Sequence, residues 1–157
     1  MARQLLKGLT MLMMIVGLAL ATAAVANGQS NNRAIANIPF DFIAGSKECQ
    51  SGKYDVRVVN GVDLMAIRSA DRDGEVLAFT HSSNGVPDAK TLNAKLVFHR
   101  YGNTYFLSQI WMAGENTGRE LSKSRREKAM GRELSKIASA RGDKNRLYEV
   151  VEIVAGR

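Results

Sequence analysis

Between Ile38 and Val154, large apolar side chains recur at every second position in runs separated by short turn-forming clusters, a pattern that restricts the chain to a body built mainly of strands. Ile38, Phe40 and Phe42 alternate with Pro39 and Asp41, and because proline cannot donate to a ladder this first strand is expected at an edge or with an irregular start. Tyr54, Val56 and Val58 repeat the period, and Asn60-Gly61 follows as a two-residue hairpin turn into Val62 to Arg68. Asp71-Arg72-Asp73-Gly74 then separates that strand from Glu75 to His81, and Asn84-Gly85 with Pro87 marks a longer loop. Lys95 to Tyr101 and Thr104 to Met112 flank a second tight turn, Gly102-Asn103. The second of these strands is apolar on both faces, with Tyr105, Leu107 and Trp111 on one and Phe106, Ile110 and Met112 on the other, so it should be covered on both sides. Leu147 to Val154, rich in Val, Ile and Tyr, reads as a closing strand. The expected fold class is mainly β: an antiparallel meander forming a sandwich or small barrel, with one carboxyl-terminal amphipathic helix and a final strand.

The period changes to helical over about residues 122–141. Ser124-Arg125-Arg126-Glu127 has capping-box spacing, in which the serine hydroxyl serves a free backbone donor and the glutamate reaches back. Met130, Leu134, Ile137 and Ala138 fall on one face, and Gly142 is a suitable stop. Gly131 weakens the helix by about 1 kcal/mol relative to alanine, so the helix is expected to depend on packing against the sheet. Gly118-Arg119-Glu120-Leu121-Ser122-Lys123 recurs as Gly131-Arg132-Glu133-Leu134-Ser135-Lys136, a local duplication rather than a solenoid.

The amino-terminal segment has a different character. Arg3 and Lys7 precede an apolar stretch from Leu9 to Leu20, and Ala24-Val25-Ala26 meets the small-x-small rule just before polar Asn27 to Arg33. This is the pattern of a secretory signal peptide at residues 1–26, followed by a polar leader at 27–36 and a single β-rich domain at 37–157. An uncleaved membrane anchor is the competing reading. Cleavage would place the protein in a periplasm or outside the cell, where the one cysteine, Cys49, cannot form a disulfide within its own chain.

Charge is concentrated rather than spread. Residues 27–118 carry nine Lys and Arg against nine Asp and Glu, whereas residues 119–146 carry ten against four. Any anionic partner, an envelope polymer or a membrane surface, is therefore expected on that segment, with Arg125, Arg126, Lys128, Arg132 and Lys136 as the candidate anion-binding residues of an alternative binding-module reading; a merely solvated helix face is the leading reading of these charges. Nucleic acid is disfavoured by export and by the lack of any aromatic residue between Trp111 and Tyr148.

Other chemistry is thin. Asp71, Asp73 and Gly74 resemble the start of a calcium loop without its later oxygen ligands, and a hairpin turn explains them. His81 and His99 have no cysteine or carboxylate at zinc-ligand spacing. There is no Gly-x-Ser-x-Gly, no Ser-x-x-Lys and no phosphate-cradling glycine loop. Asp41 and Asp55 read as solvated charges, and Trp111 with Tyr105 could line a groove only if their shared face were open. No catalytic residue, metal or cofactor is expected. The leading expectation is a non-enzymatic exported protein, structural or binding, with a hydrolase or thiol enzyme using Cys49 as the alternative from another class.

Three segments, Ile38-Pro39-Phe40-Asp41-Phe42, Gly52-Lys53-Tyr54-Asp55-Val56 and Arg100-Tyr101-Gly102-Asn103-Thr104-Tyr105-Phe106-Leu107-Ser108-Gln109-Ile110-Trp111, resemble a family of small exported bacterial proteins that carry a signal peptide and an apolar-Pro-Phe-x-Phe strand. The similarity runs from Ile38 to about Lys128. Such relatives often have a Leu-Pro stretch where this chain has Glu48-Cys49-Gln50-Ser51. The resemblance implies a β-rich protein of the bacterial envelope or exterior and carries over no activity and no functional residue.

Overall fold

The computed structural model describes residues 32–59, 63–83, 93–141 and 147–156. The expected signal peptide, the Asn60-Gly61 and Asn84-Gly85 turns and the Gly142 helix stop lie outside them. The elements in chain order are β1 (Arg33–Ile38), β2 (Phe42–Ala44), β3 (Lys47–Cys49), β4 (Gly52–Val58), β5 (Leu64–Ser69), β6 (Glu75–Ser83), β7 (Ala94–Tyr101), β8 (Thr104–Trp111), β9 (Gly118–Leu121), α1 (Arg125–Arg141) and β10 (Glu149–Ala155). The protein is thus mainly β, with a helix and then a strand at its carboxyl end. Strands β4 to β8 and β10 lie where the alternation places them, and Gly102, at φ 61°, supplies the left-handed residue that the β7–β8 turn requires.

The strand order departs from a simple meander. One large sheet runs β1-β4-β5-β6-β9-β8-β2-β3, with β7 on the other edge of β8 and β10 beyond β7. It is mixed, because β2 pairs with β8 in parallel, Phe42 beside Tyr105 and Ile43 beside Phe106. The cause lies at Pro39. The expected strand from Ile38 to Phe42 breaks there into β1 and β2, since proline cannot sustain the ladder with β4, and the chain restarts against β8. The Phe40 ring fills the break, stacked on Tyr105 at 3.8 Å and edge-on to Phe98 at 5.2 Å.

Strand β6 carries the sheet round a corner. Its first half, Glu75 to Phe79, pairs with β5, and its second, Thr80 to Ser83, pairs with β9. The sheet is not closed into a barrel: β1 and β10 meet at a single bridge, where Ile35 and Gly156 exchange two backbone hydrogen bonds of 2.8 Å each.

The curved sheet encloses the main core, in which Ile38, Val56, Met65, Ile67, Leu96, Phe98, Leu107 and Ile110 are among the buried side chains. The ladder between β7 and β8 shifts register, with Phe98 opposite Leu107 but Val97 opposite Gln109, so Ser108 is an extra residue. This bulge corrects the expected faces of β8. Tyr105, Leu107, Ile110 and Met112 all belong to the main core, whereas Phe106 belongs to a second cluster. Tyr105 and Trp111 therefore do not line a common groove. Trp111 lies against β9 instead, directly over Gly118.

Three strands were not anticipated. β1 begins inside the stretch read as a polar leader, β3 falls where no alternation of apolar residues marks a strand, and β9 lies immediately before the segment read as helical. The helix accordingly starts at Arg125 rather than near residue 122.

Candidate anion-binding face

Helix α1 begins where its cap dictates. The Glu127 backbone N–H donates to Ser124 Oγ at 3.1 Å, the serine half of the expected capping box. The other half is absent, because the Glu127 side chain turns inward. It is 4 % exposed, its Oε1 lies 3.2 Å from His99 Nδ1 on β7, and the Tyr101 hydroxyl donates to the same oxygen at 3.4 Å. The His99 ring lies 4.1 Å from that of Tyr148, and Lys123 Nζ sits 5.4 Å from the Tyr148 ring centre.

Below this polar anchor is the second apolar cluster. Ile43, Tyr101 and Phe106 on the outer face of the sheet are covered by Met130 and Leu134 from α1 and by Tyr148. Burial pushes the Tyr101 phenol up to about 12, and the nearby Glu127 carboxylate and Tyr148 add to the effect. At ordinary pH Tyr101 is a neutral donor. The expected apolar stripe is narrower than its sequence suggests, since Ile137 stays 44 % exposed and does not join Met130 and Leu134 in the cluster.

With that face committed to the sheet, the opposite face of α1 is free. Arg125, Lys128, Arg132 and Lys136 are all exposed. They follow one another at steps of three, four and four residues, which at about 100° per residue keeps them within an arc of about 80°. Arg132 Nε donates to the Lys128 carbonyl at 3.2 Å, which orients its guanidinium along the helix. None of the four is ion-paired to a carboxylate among the described residues.

Arg126 differs from its expected companions. It lies about 100° round from Arg125 and forms an ion pair with Glu48 of β3, so it ties the helix to the sheet edge rather than presenting a free charge. Of the five residues singled out by sequence, the structure thus brings four into one line and sends the fifth to a structural partner.

The remaining candidates are scattered. Cys49 is buried, its thiol contacts the Lys47 carbonyl at 3.9 Å, and burial pushes its pKa up, with the Lys47 charge and a backbone hydrogen bond at Ala44 acting in the other direction. No hydrogen bond joins it to a histidine among the described residues. A buried thiol with a raised pKa is poorly placed to serve as a nucleophile. His81 is exposed on β6 while His99 is buried under α1, so the two histidines do not converge. Asp41 accepts from the Ser51 N–H at 2.7 Å and Asp55 pairs with Arg33 at 2.7 Å, so these carboxylates serve a turn and a sheet face separately.

No helix among the described residues is long and apolar enough to cross a membrane. No family model, curated protein or solved structure matches the chain.

Proposed function

We propose that this chain is an exported, non-enzymatic binding protein of the bacterial envelope or exterior that holds an anionic polysaccharide or lipid head group through α1. One observation carries the reading: Arg125, Lys128, Arg132 and Lys136 share an exposed face, without a described carboxylate partner, on a helix whose apolar side is already used. A solvated cationic face is common on helices, but it usually carries interspersed acids that pair at i,i+4. Here the i,i+4 neighbours along the line are Lys128 with Arg132 and Arg132 with Lys136, so like charges face each other, and an anion lying between them relieves the repulsion.

The test must separate this face from the overall basic charge of the chain, which is +7. Retention on an anionic polysaccharide matrix is compared for the triple variant K128Q/R132Q/K136Q and for K53Q/R68Q/R72Q, which removes as many charges from β4, β5 and the turn after β5. Loss of retention in the first and not in the second supports the proposal. Equal behaviour of the two variants rejects it. Fractionation with amino-terminal sequencing checks export, which fails if Met1 or Arg3 is retained in native material partitioning with lipid.

A further inference from the structure

Resting on that reading of α1, we infer that its occupant is a linear acidic polysaccharide laid along the helix axis, with several ionised groups engaged at once, rather than the plane of a lipid bilayer.

The line is long and narrow. Arg125 to Lys136 spans eleven residue steps, about 16 Å at 1.5 Å per residue, while its width is the arc of about 80° already described. Successive cations are about 4.5–6 Å apart along the axis, a spacing suited to a chain that carries one carboxylate on each sugar. Glu133 stands exposed on one border of the line. A polymer strand passes beside that carboxylate, whereas a continuous sheet of anionic head groups would be pressed against it.

A bilayer makes a further demand. Helices that lie in a membrane interface sink an apolar face among the acyl chains. Met130 and Leu134 of α1 are packed on Ile43, Tyr101 and Phe106, and the exposed Ile137, about 100° round from Lys136, lines a shallow cavity with Ala129, Arg132, Glu133 and Lys136. Among the described residues of α1, Ile137 is the one large apolar side chain so exposed, too little to sink the helix among acyl chains. Nor does α1 contain an aromatic residue on which nucleic-acid bases could stack, so the recognition is by charge along a strand.

The experiment titrates the purified full-length chain with a digalacturonate, a tetragalacturonate and a long galacturonan, and in parallel with dextran, a single-stranded oligonucleotide and phosphatidylglycerol vesicles, at several salt concentrations. Affinity is expected to rise steeply with oligomer length until the ligand spans the four cations, and to be absent for dextran. Each single change, Arg125→Gln, Lys128→Gln, Arg132→Gln and Lys136→Gln, is expected to weaken the long polymer severalfold and to lower the salt slope by about one. Arg126→Gln, whose charge is spent on Glu48, is expected to leave the slope unchanged.

Digalacturonate binding as tightly as the polymer, vesicles or the oligonucleotide displacing the polymer at lower concentration, or Arg126→Gln behaving like the other four would each overturn the inference while leaving an anion-binding helix intact. Failure of every anionic ligand to bind would instead remove the proposed function itself.

Discussion

The same six residues, Gly-Arg-Glu-Leu-Ser-Lys, occur twice in this protein and fold differently. At 118–123 they form strand β9 and its exit, and at 131–136 they form the middle of α1. Intrinsic propensity is identical in the two copies, so their surroundings decide. In the first, Gly118 passes beneath Trp111, Leu121 is buried in the main core opposite Thr80, and Glu120 lies beside Gln109 of β8. In the second, a helix already started by Ser124 runs through the segment, Leu134 is half-buried on the outer cluster, and Glu133 faces solvent. Local sequence sets what a segment tolerates, and the partners available to it choose among the tolerated states.

Equivalent substitutions in the two copies should therefore have unequal effects. The largest single loss is expected for Leu121→Ala, about 3–4 kcal/mol for the fully buried leucine against about 1–2 kcal/mol for Leu134→Ala at its half-buried twin, measured by urea unfolding. Equal losses would mean that the outer cluster is as tightly packed as the main core. Next, the glycines should differ in sign. A Cβ at position 118 would lie 2.5 Å from Trp111 Cε2, so Gly118→Ala is expected to destabilise by about 2–3 kcal/mol. At position 131 the nearest atom would be Tyr101 Cε1 at 3.8 Å, an ordinary contact, so Gly131→Ala should stabilise by up to about 1 kcal/mol.

A smaller and more local effect is expected at the anchor of the helical copy. Glu127→Gln keeps the shape of the side chain but weakens its bonds to His99 and Tyr101, a loss of about 1–2 kcal/mol. Hydrogen exchange should show α1 amides opening while β9 amides stay protected. Uniform acceleration in both would deny that the anchor is local.

A further effect concerns pH. Tyr101 has an ordinary value of 10.0 and a folded value of about 12. Its contribution is full below pH 10 and is lost as pH rises toward 12, because the unfolded chain releases the proton first. Tyr54, also raised by burial, acts in the same sense. Tyr101→Phe should therefore flatten, without abolishing, the alkaline fall in melting temperature across that window.

The contrast between the two copies also explains what could be read from the sequence. β6 was legible from the Asp71 to Gly74 turn before it, although its large apolar residues Leu77 and Phe79 face outward, β8 from its large apolar residues, and the helix start because Ser124 caps it. β1 was not, because its inward residues Ala34 and Ala36 are small and do not advertise a strand. β9 carries a segment that is helical elsewhere, and the Ser108 bulge reverses the faces of β8 without any local signal. At the candidate site the cations were legible as composition. Their sorting was not, since the Arg126 partner Glu48 and the Glu127 partner His99 come from distant strands that only tertiary structure brings near.

The lone junction of Ile35 with Gly156 joins residues 121 positions apart. Such a fastening sets two hydrogen bonds against the entropy of tying so long a loop. It is thus a clasp that depends on β1 and β10 being held by β4 and β7, and it should open before either of those ladders does.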